Sequence, residues 1–196
     1  MRLYLSSFKV GEQSEQLSSL YGNRQPVGYC ANALDHISDK RWLAEWAATD
    51  MAELAHLGLQ VRLLDLRDYF SCEEHDICET ISQMSGLWCS GGNVFVLRQA
   101  MRLSGLDVCL RNGQLPEDFV YGGYSAGSCV LSPTLRLYAE VDDSEERPYP
   151  QMQETLWEGL GLIDFAFMPH FRSRHSESKL IAGDRVFPRR ISDCRT

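Results

Sequence analysis

The chain has 196 residues, 44% of them apolar and 23% charged, with 19 Lys+Arg against 27 Asp+Glu for a formal charge of −8. This composition belongs to a globular chain, one able to bury roughly 70% of its unfolded surface without staples. It excludes a non-specific nucleic-acid binder and an adhesive for anionic membranes, both of which need a basic face, and the only lysines are Lys9, Lys40 and Lys179.

No apolar run approaches the ~18–20 residues of a spanning helix. Residues 1–8 are too short and polar for a signal peptide. The seven cysteines are odd in number and include no C-x-x-C pair, so reduced thiols in a cytoplasmic protein are expected.

In chain order the pattern alternates strand and helix within a single domain, 1–196. Residues 2–8 and 27–31 read as strands. Residues 39–58 read as the best helix, with Trp42, Leu43, Trp46, Ala47, Met51, Leu54 and Leu57 at three- and four-residue spacing, Asp39 as cap and Gly58 as stop. A strand is expected over 60–66, a helix over 72–84, a short apolar strand over 86–89 and a helix over 93–103. Strands follow at 118–124, 135–141 and 165–168, the last ending at Pro169-His170. This alternation predicts an α/β fold, a mostly parallel sheet flanked by helices on both faces in three layers. Ligands in such sheets bind at the carboxyl ends of the strands. Three polar or glycine-rich segments fall there: Ser90-Gly91-Gly92-Asn93, Gly123-Tyr124-Ser125-Ala126-Gly127 and Met168-Pro169-His170.

The second segment fits G-x-S-x-G between a strand and a helix, the setting of a nucleophile elbow. Small residues allow the sharp turn, and the serine then meets the N–H groups of a helix start. The competing reading is a glycine-rich turn with a capping serine. The paired glycines before Asn93 let a backbone N–H approach a ligand, forming half an oxyanion hole with the N–H of Ala126. The plainer alternative makes Asn93 a helix cap. A serine nucleophile needs a base, and His170, at a strand end, is favoured over His36, His56, His75 and His175. An acid to orient it is expected from the run Glu140, Asp142, Asp143, Glu145, Glu146, most of which reads as solvated loop. The segment from Cys72 to Cys78 holds ligand residue types at no common zinc spacing. Neither a P-loop nor G-x-G-x-x-G occurs. No metal, cofactor, nucleic-acid or membrane partner is expected.

Three markers in order then give a resemblance. Gly91-Gly92-Asn93-Val94-Phe95, Gly123-Tyr124-Ser125-Ala126-Gly127-Ser128 and Met168-Pro169-His170-Phe171 resemble the GGNTF, G-x-SAG-[AS] and PH-aromatic segments of the peptidase E (aspartyl dipeptidase) family S51, which includes cyanophycinases. The resemblance runs from the first strand to about His170. It implies a class I glutamine amidotransferase-like fold and hydrolysis of short peptides. It makes Ser125 the nucleophile and His170 the base, with Gly92 and Ala126 as oxyanion donors. The acid falls at Asp142, with Asp143 and Glu140 as alternatives. The family's substrates imply an N-terminal aspartate, for whose carboxylate Arg172 and Arg174 are candidate partners. A serine esterase of α/β-hydrolase type and an inactive relative acting as a binding module are the rival readings. Residues 185–196 do not resemble the family's end, so the domain is expected to be short there. The sheet edge this uncovers suggests a homodimer.

Overall fold

The computed structural model describes residues 1–22, 26–70, 74–112 and 115–170. Its strands are β1 (Arg2–Ser6), β2 (Val27–Cys30), β3 (Val61–Leu63), β4 (Gly86–Cys89) and β5 (Val120–Tyr124). They form one sheet in the order β1-β5-β4-β2-β3, and every pairing is parallel. The register runs Arg2↔Val120 to Ser6↔Tyr124 on one side of β5 and Gly86↔Val120 to Cys89↔Gly123 on the other. All the carboxyl ends therefore meet along one edge.

The helices are α1 (Ser14–Tyr21), α2 (Lys40–His56), α3 (Glu74–Ser82), α4 (Val94–Leu103), α5 (Leu106–Arg111) and α6 (Ala126–Cys129). Period-two alternation along the strands sorts them into two layers. Val27, Tyr29, Trp88, Val120 and Tyr124 pack with Leu17 and Tyr21 of α1 and Leu54 of α2. Cys30, Leu87, Cys89 and Tyr121 point the other way, into the larger core built with α3 to α6. With both faces covered, the inner strands β2, β4 and β5 are buried along their whole length and carry no charged residue, as buried parallel strands do. The three-layer expectation holds.

α2 starts where its capping residue predicts. Asp39 accepts the N–H of Trp42 at 3.0 Å, and Gly58 follows the helix end at φ +84°. Only part of its apolar stripe is core, however: within α2 only Asp50 and Leu54 are buried, while Ala47 and Met51 pack partly buried against the same layer. Asp50 is the polar centre of that layer. Its carboxylate accepts from the Lys9 ammonium at 2.5 Å and from the hydroxyls of Tyr29 and Tyr124 at 2.9 and 2.6 Å. A carboxylate buried this deeply is tolerable only with such partners.

Two expected strands are absent. Residues 135–141 instead carry a 3-10 turn, Arg136–Tyr138, because the Val141 and Asp142 N–H groups both bond the Tyr138 carbonyl rather than a neighbouring strand. Around Phe167 side chains replace a ladder: its N–H donates to Ser132 Oγ at 3.3 Å, and its carbonyl accepts from the Tyr138 hydroxyl at 2.8 Å. Phe165, expected to be buried, is 50% exposed. The strand expected over 60–66 shortens to Val61–Leu63, and helices α1 and α5 were not anticipated. The thiols also need correction. Cys78 and Cys109 form a disulfide, with Cα atoms 5.6 Å apart, because α3 and α5 pack side by side on one face of the sheet. Cys30, Cys89 and Cys129 are free and buried. Cys72 and Cys194 lie outside the described residues.

Replacing Asp50 tests the buried centre. Asp50→Ala strands a lysine and two tyrosine hydroxyls, a loss of roughly 3–5 kcal/mol. Thermal denaturation should show a melting temperature lower by on the order of 10 °C.

Candidate active site

β5 runs into a turn that no ordinary residue adopts cheaply. Ser125 has φ +49° and ψ −118°, and α6 begins at the next residue. Neighbours enforce the turn. The Ser125 N–H donates to the Ser6 carbonyl at the end of β1, at 3.1 Å. Ser128 Oγ lies between the carbonyls of Ser6 and Gly123, at 3.1 and 2.8 Å. The Tyr121 hydroxyl donates to the Gly127 carbonyl at 2.8 Å. A Cβ on Gly127 would stand 2.2 Å from the Cys89 carbonyl oxygen, so the helix start can lie on β4 only with glycine there. Strain held by surrounding structure is what a presented nucleophile displays.

The loop after β4 lies beside it. A Cβ on Gly91 would meet Ser125 Cβ at 3.1 Å. Gly92 has φ +140°, and a Cβ there would sit 2.5 Å from the Ala33 carbonyl oxygen. Asn93 caps α4, its Oδ1 accepting the N–H groups of Phe95 and Val96 at 2.8 and 3.1 Å. The same side chain donates through Nδ2 to the Asp143 carbonyl at 2.8 Å. Asp142 Oδ2 accepts the N–H of Val94 at 2.8 Å, and Gln99 Nε2 donates to the Glu146 carbonyl at 2.8 Å. Three hydrogen bonds thus seat the acidic segment against the first turns of α4, where negative charge is favoured.

These segments border one cavity of about 360 Å³. Ser125, Gly91, Gly92, Asn93, Asp142, Asp143 and His170 line it together. His170 is buried and, like Ser125, takes a positive φ, +60°. Its ring lies 6.4 Å from that of Phe8, which also meets the Tyr124 ring edge-on at 6.0 Å. Ala126 is buried at the start of α6, next to Ser125. Glu140, an expected alternative for the acid, does not line the cavity, whereas Asp142 and Asp143 both do. Asp143 is exposed, its Oδ1 engaged by the Glu145 N–H at 2.8 Å. Arg172 and Arg174 lie outside the described residues.

Several side chains of the lining, Phe8, His36, Trp42 and Trp46 among them, carry no specific site signal in the sequence. Phe8 follows β1, and Trp42 and Trp46 stack along α2 with centroids 5.0 Å apart. Their i,i+4 spacing was visible but reads equally as core. His36 belongs to the loop after β2, and its Nδ1 is buried with no hydrogen-bond partner among the described residues. Its place near a strand end was the available signal. Trp46 Nε1 donates to the Tyr124 hydroxyl at 3.1 Å. Burial, and then the Asp50 charge, push that phenol well above its ordinary range, so it stays neutral. Among the described residues no group of three or more His, Cys, Asp or Glu side chains is disposed to hold a metal ion, and no helix is long and apolar enough to cross a membrane.

Comparison with known proteins bears on this arrangement. The model of peptidase family S51 matches residues 38–184, a span that includes Ser125, Asp142 and His170. The chain belongs to peptidase family S51. It is 30% identical over 121 residues to an uncharacterized peptidase of Listeria innocua, covering 61% of this chain and 54% of that protein. An uncharacterized peptidase of Listeria monocytogenes is 28% identical over 120 residues, covering 61% and 55%. The chain spans about half the length of the curated relatives it matches. A crystal structure of a peptidase E protein from Listeria monocytogenes superposes with a TM-score of 0.65 at 20% identity, over 91% of this chain and 84% of that one. A peptidase from an acI-B1 Actinobacterium gives 0.63 at 19%, over 91% and 73%. At these identities the structures establish the fold: an α/β parallel sheet of the peptidase E kind.

Asn93 carries two jobs that substitution can separate. Asn93→Ala removes cap and clamp, at a cost of about 1–2 kcal/mol in urea unfolding. Asn93→Ser keeps a cap acceptor and loses the amide donated to Asp143 without adding charge, so its unfolding midpoint should lie closer to the parent.

Proposed function

We propose that the protein is a serine-type peptidase acting on short peptides through Ser125, His170 and Asp142. The observation that supports this most is the strained turn at Ser125, opening into the same cavity as His170 and Asp142. Strain of that kind is retained where it presents a group for reaction.

His170 takes the Ser125 hydroxyl proton as Oγ attacks the peptide carbonyl carbon. Asp142, fixed by the Val94 N–H, orients the imidazole and stabilises its cation. The oxyanion is met by the N–H groups of Gly92 and Ala126. Collapse breaks the C–N bond, and His170 gives its proton to the leaving amine. Water then attacks the acyl-enzyme, losing a proton to His170, and the proton returns to Ser125 Oγ as the acid departs. No step requires a cofactor. A cavity of about 360 Å³ lies near the small end of ligand pockets, which suits a dipeptide better than a protein chain. The carboxylates of Asp143 and Glu146, both on its lining, suit a free N-terminal ammonium. A preference for N-terminal aspartate would rest on Arg172 and Arg174.

Two substitutions test the assignment. Ser125→Ala should lower kcat for dipeptide hydrolysis by on the order of 10³-fold or more and abolish labelling by a fluorophosphonate. Circular dichroism should remain that of the parent. Asp142→Asn should lower kcat by roughly 10²–10⁴-fold. A silent Asp142→Asn beside a crippling Asp143→Asn would move the acid by one residue and leave the rest of the mechanism standing.

A further inference from the structure

We infer that the residue bound beside Ser125 carries a bulky apolar or aromatic side chain, so that the preferred substrates are short peptides beginning with residues such as Phe or Leu. This rests on the serine-peptidase reading and names its substrate class. Much of the cavity lining is apolar: Phe8, Leu34, Ile37, Trp42 and Trp46 border it, with His36 between Leu34 and Ile37. Among the described residues five large apolar side chains are exposed, and two of them, Phe8 at 48% and Trp42 at 38%, border this one opening. Aromatic surface left uncovered at a concave site marks where an apolar group is taken up.

Charge points the same way. The described lining contains Asp142, Asp143 and Glu146 and neither lysine nor arginine. Among the described residues Lys9 is a cation beside this wall, with Nζ 5.0 Å from the Trp46 ring centre. It is committed to Asp50 at 2.5 Å and lies 3.9 Å from Glu53. A substrate carboxylate beside these three carboxylates would meet like charge, with His36 Nδ1 the unpaired polar atom of the described lining. An apolar side chain there loses only water.

The test is a dipeptide panel on the purified full chain: Phe-Leu, Leu-Leu, Ala-Leu and Asp-Leu, with fluorophosphonate labelling of Ser125 run in parallel. Phe-Leu should exceed Ala-Leu in kcat/KM by roughly 10- to 100-fold, the size of effect one buried ring supplies. Asp-Leu should be slower than Ala-Leu. Trp42→Ala should reduce the Phe-Leu to Ala-Leu ratio about tenfold, and Trp42→Phe should restore most of it; because Trp42 is partly exposed, folding is spared. A preference for Asp-Leu would overturn the inference in favour of Arg172 or Arg174, and equal rates across the panel would overturn it too. Labelling of Ser125 with no dipeptide cleaved would overturn the substrate class and leave a serine hydrolase. Absence of both labelling and cleavage would remove the serine-peptidase reading, and this inference with it.

Discussion

The site depends on one contact between backbones. The turn after β5 is laid so closely on the end of β4 that a methyl group on Gly127 would overlap the Cys89 carbonyl oxygen, and one on Gly123 would stand 2.9 Å from the same atom. This approach turns the chain sharply enough to hold Ser125 at positive φ and to start a helix at the next residue. It also brings the paired glycines after β4 against the serine. The two loops are therefore fixed relative to one another by strand pairing and van der Waals exclusion, with the Tyr121 hydroxyl on the Gly127 carbonyl as a further tie. Rigid elements hold a reacting constellation better than mobile loops do.

Two aspartates show how burial divides labour. Asp50 lies under the sheet edge with its oxygens occupied by Lys9, Tyr29 and Tyr124, and it belongs to the architecture. Asp142 has one oxygen pinned by the first turn of α4, and it lines the cavity. A fully partnered carboxylate rigidifies its surroundings. Asp142, held by the Val94 N–H, instead faces the cavity that Ser125 and His170 also line.

Local signals in the sequence located most of the frame. Apolar runs bounded by glycine or proline gave β1, β2, β4 and β5, and side-chain caps marked the starts of α2 and α4. The family segments Gly91-Gly92-Asn93, Ser125 and Pro169-His170 were legible because backbone constraints select few residue types at such positions. The misread parts share a physical cause. Residues 135–141 and 165–168 are apolar enough for strands, but their polar backbone groups are satisfied by turns and by Ser132, Tyr138 and Trp157, contacts between segments that no local pattern encodes. The aromatic wall was not legible for the converse reason. A stripe along α2 shows that one face is apolar, not whether core or cavity receives it. Cys78 and Cys109 are 31 residues apart and carry no spacing signature, so their pairing depends on the packing of α3 against α5.

The pairing of Arg2 with Val120 reaches across most of the described chain, and the Ser6 carbonyl at the far end of the same strand receives the Ser125 N–H. During synthesis the first strand must wait for more than half of the polypeptide to emerge before its partner exists. Contacts of such long sequence separation form late and slowly, because the intervening loop must close first. The serine turn is therefore among the last parts of the molecule to be assembled. A chain halted before β1 docks would carry α4 and its capped loop but not the turn at Ser125, so the cavity would take shape only together with the completed fold.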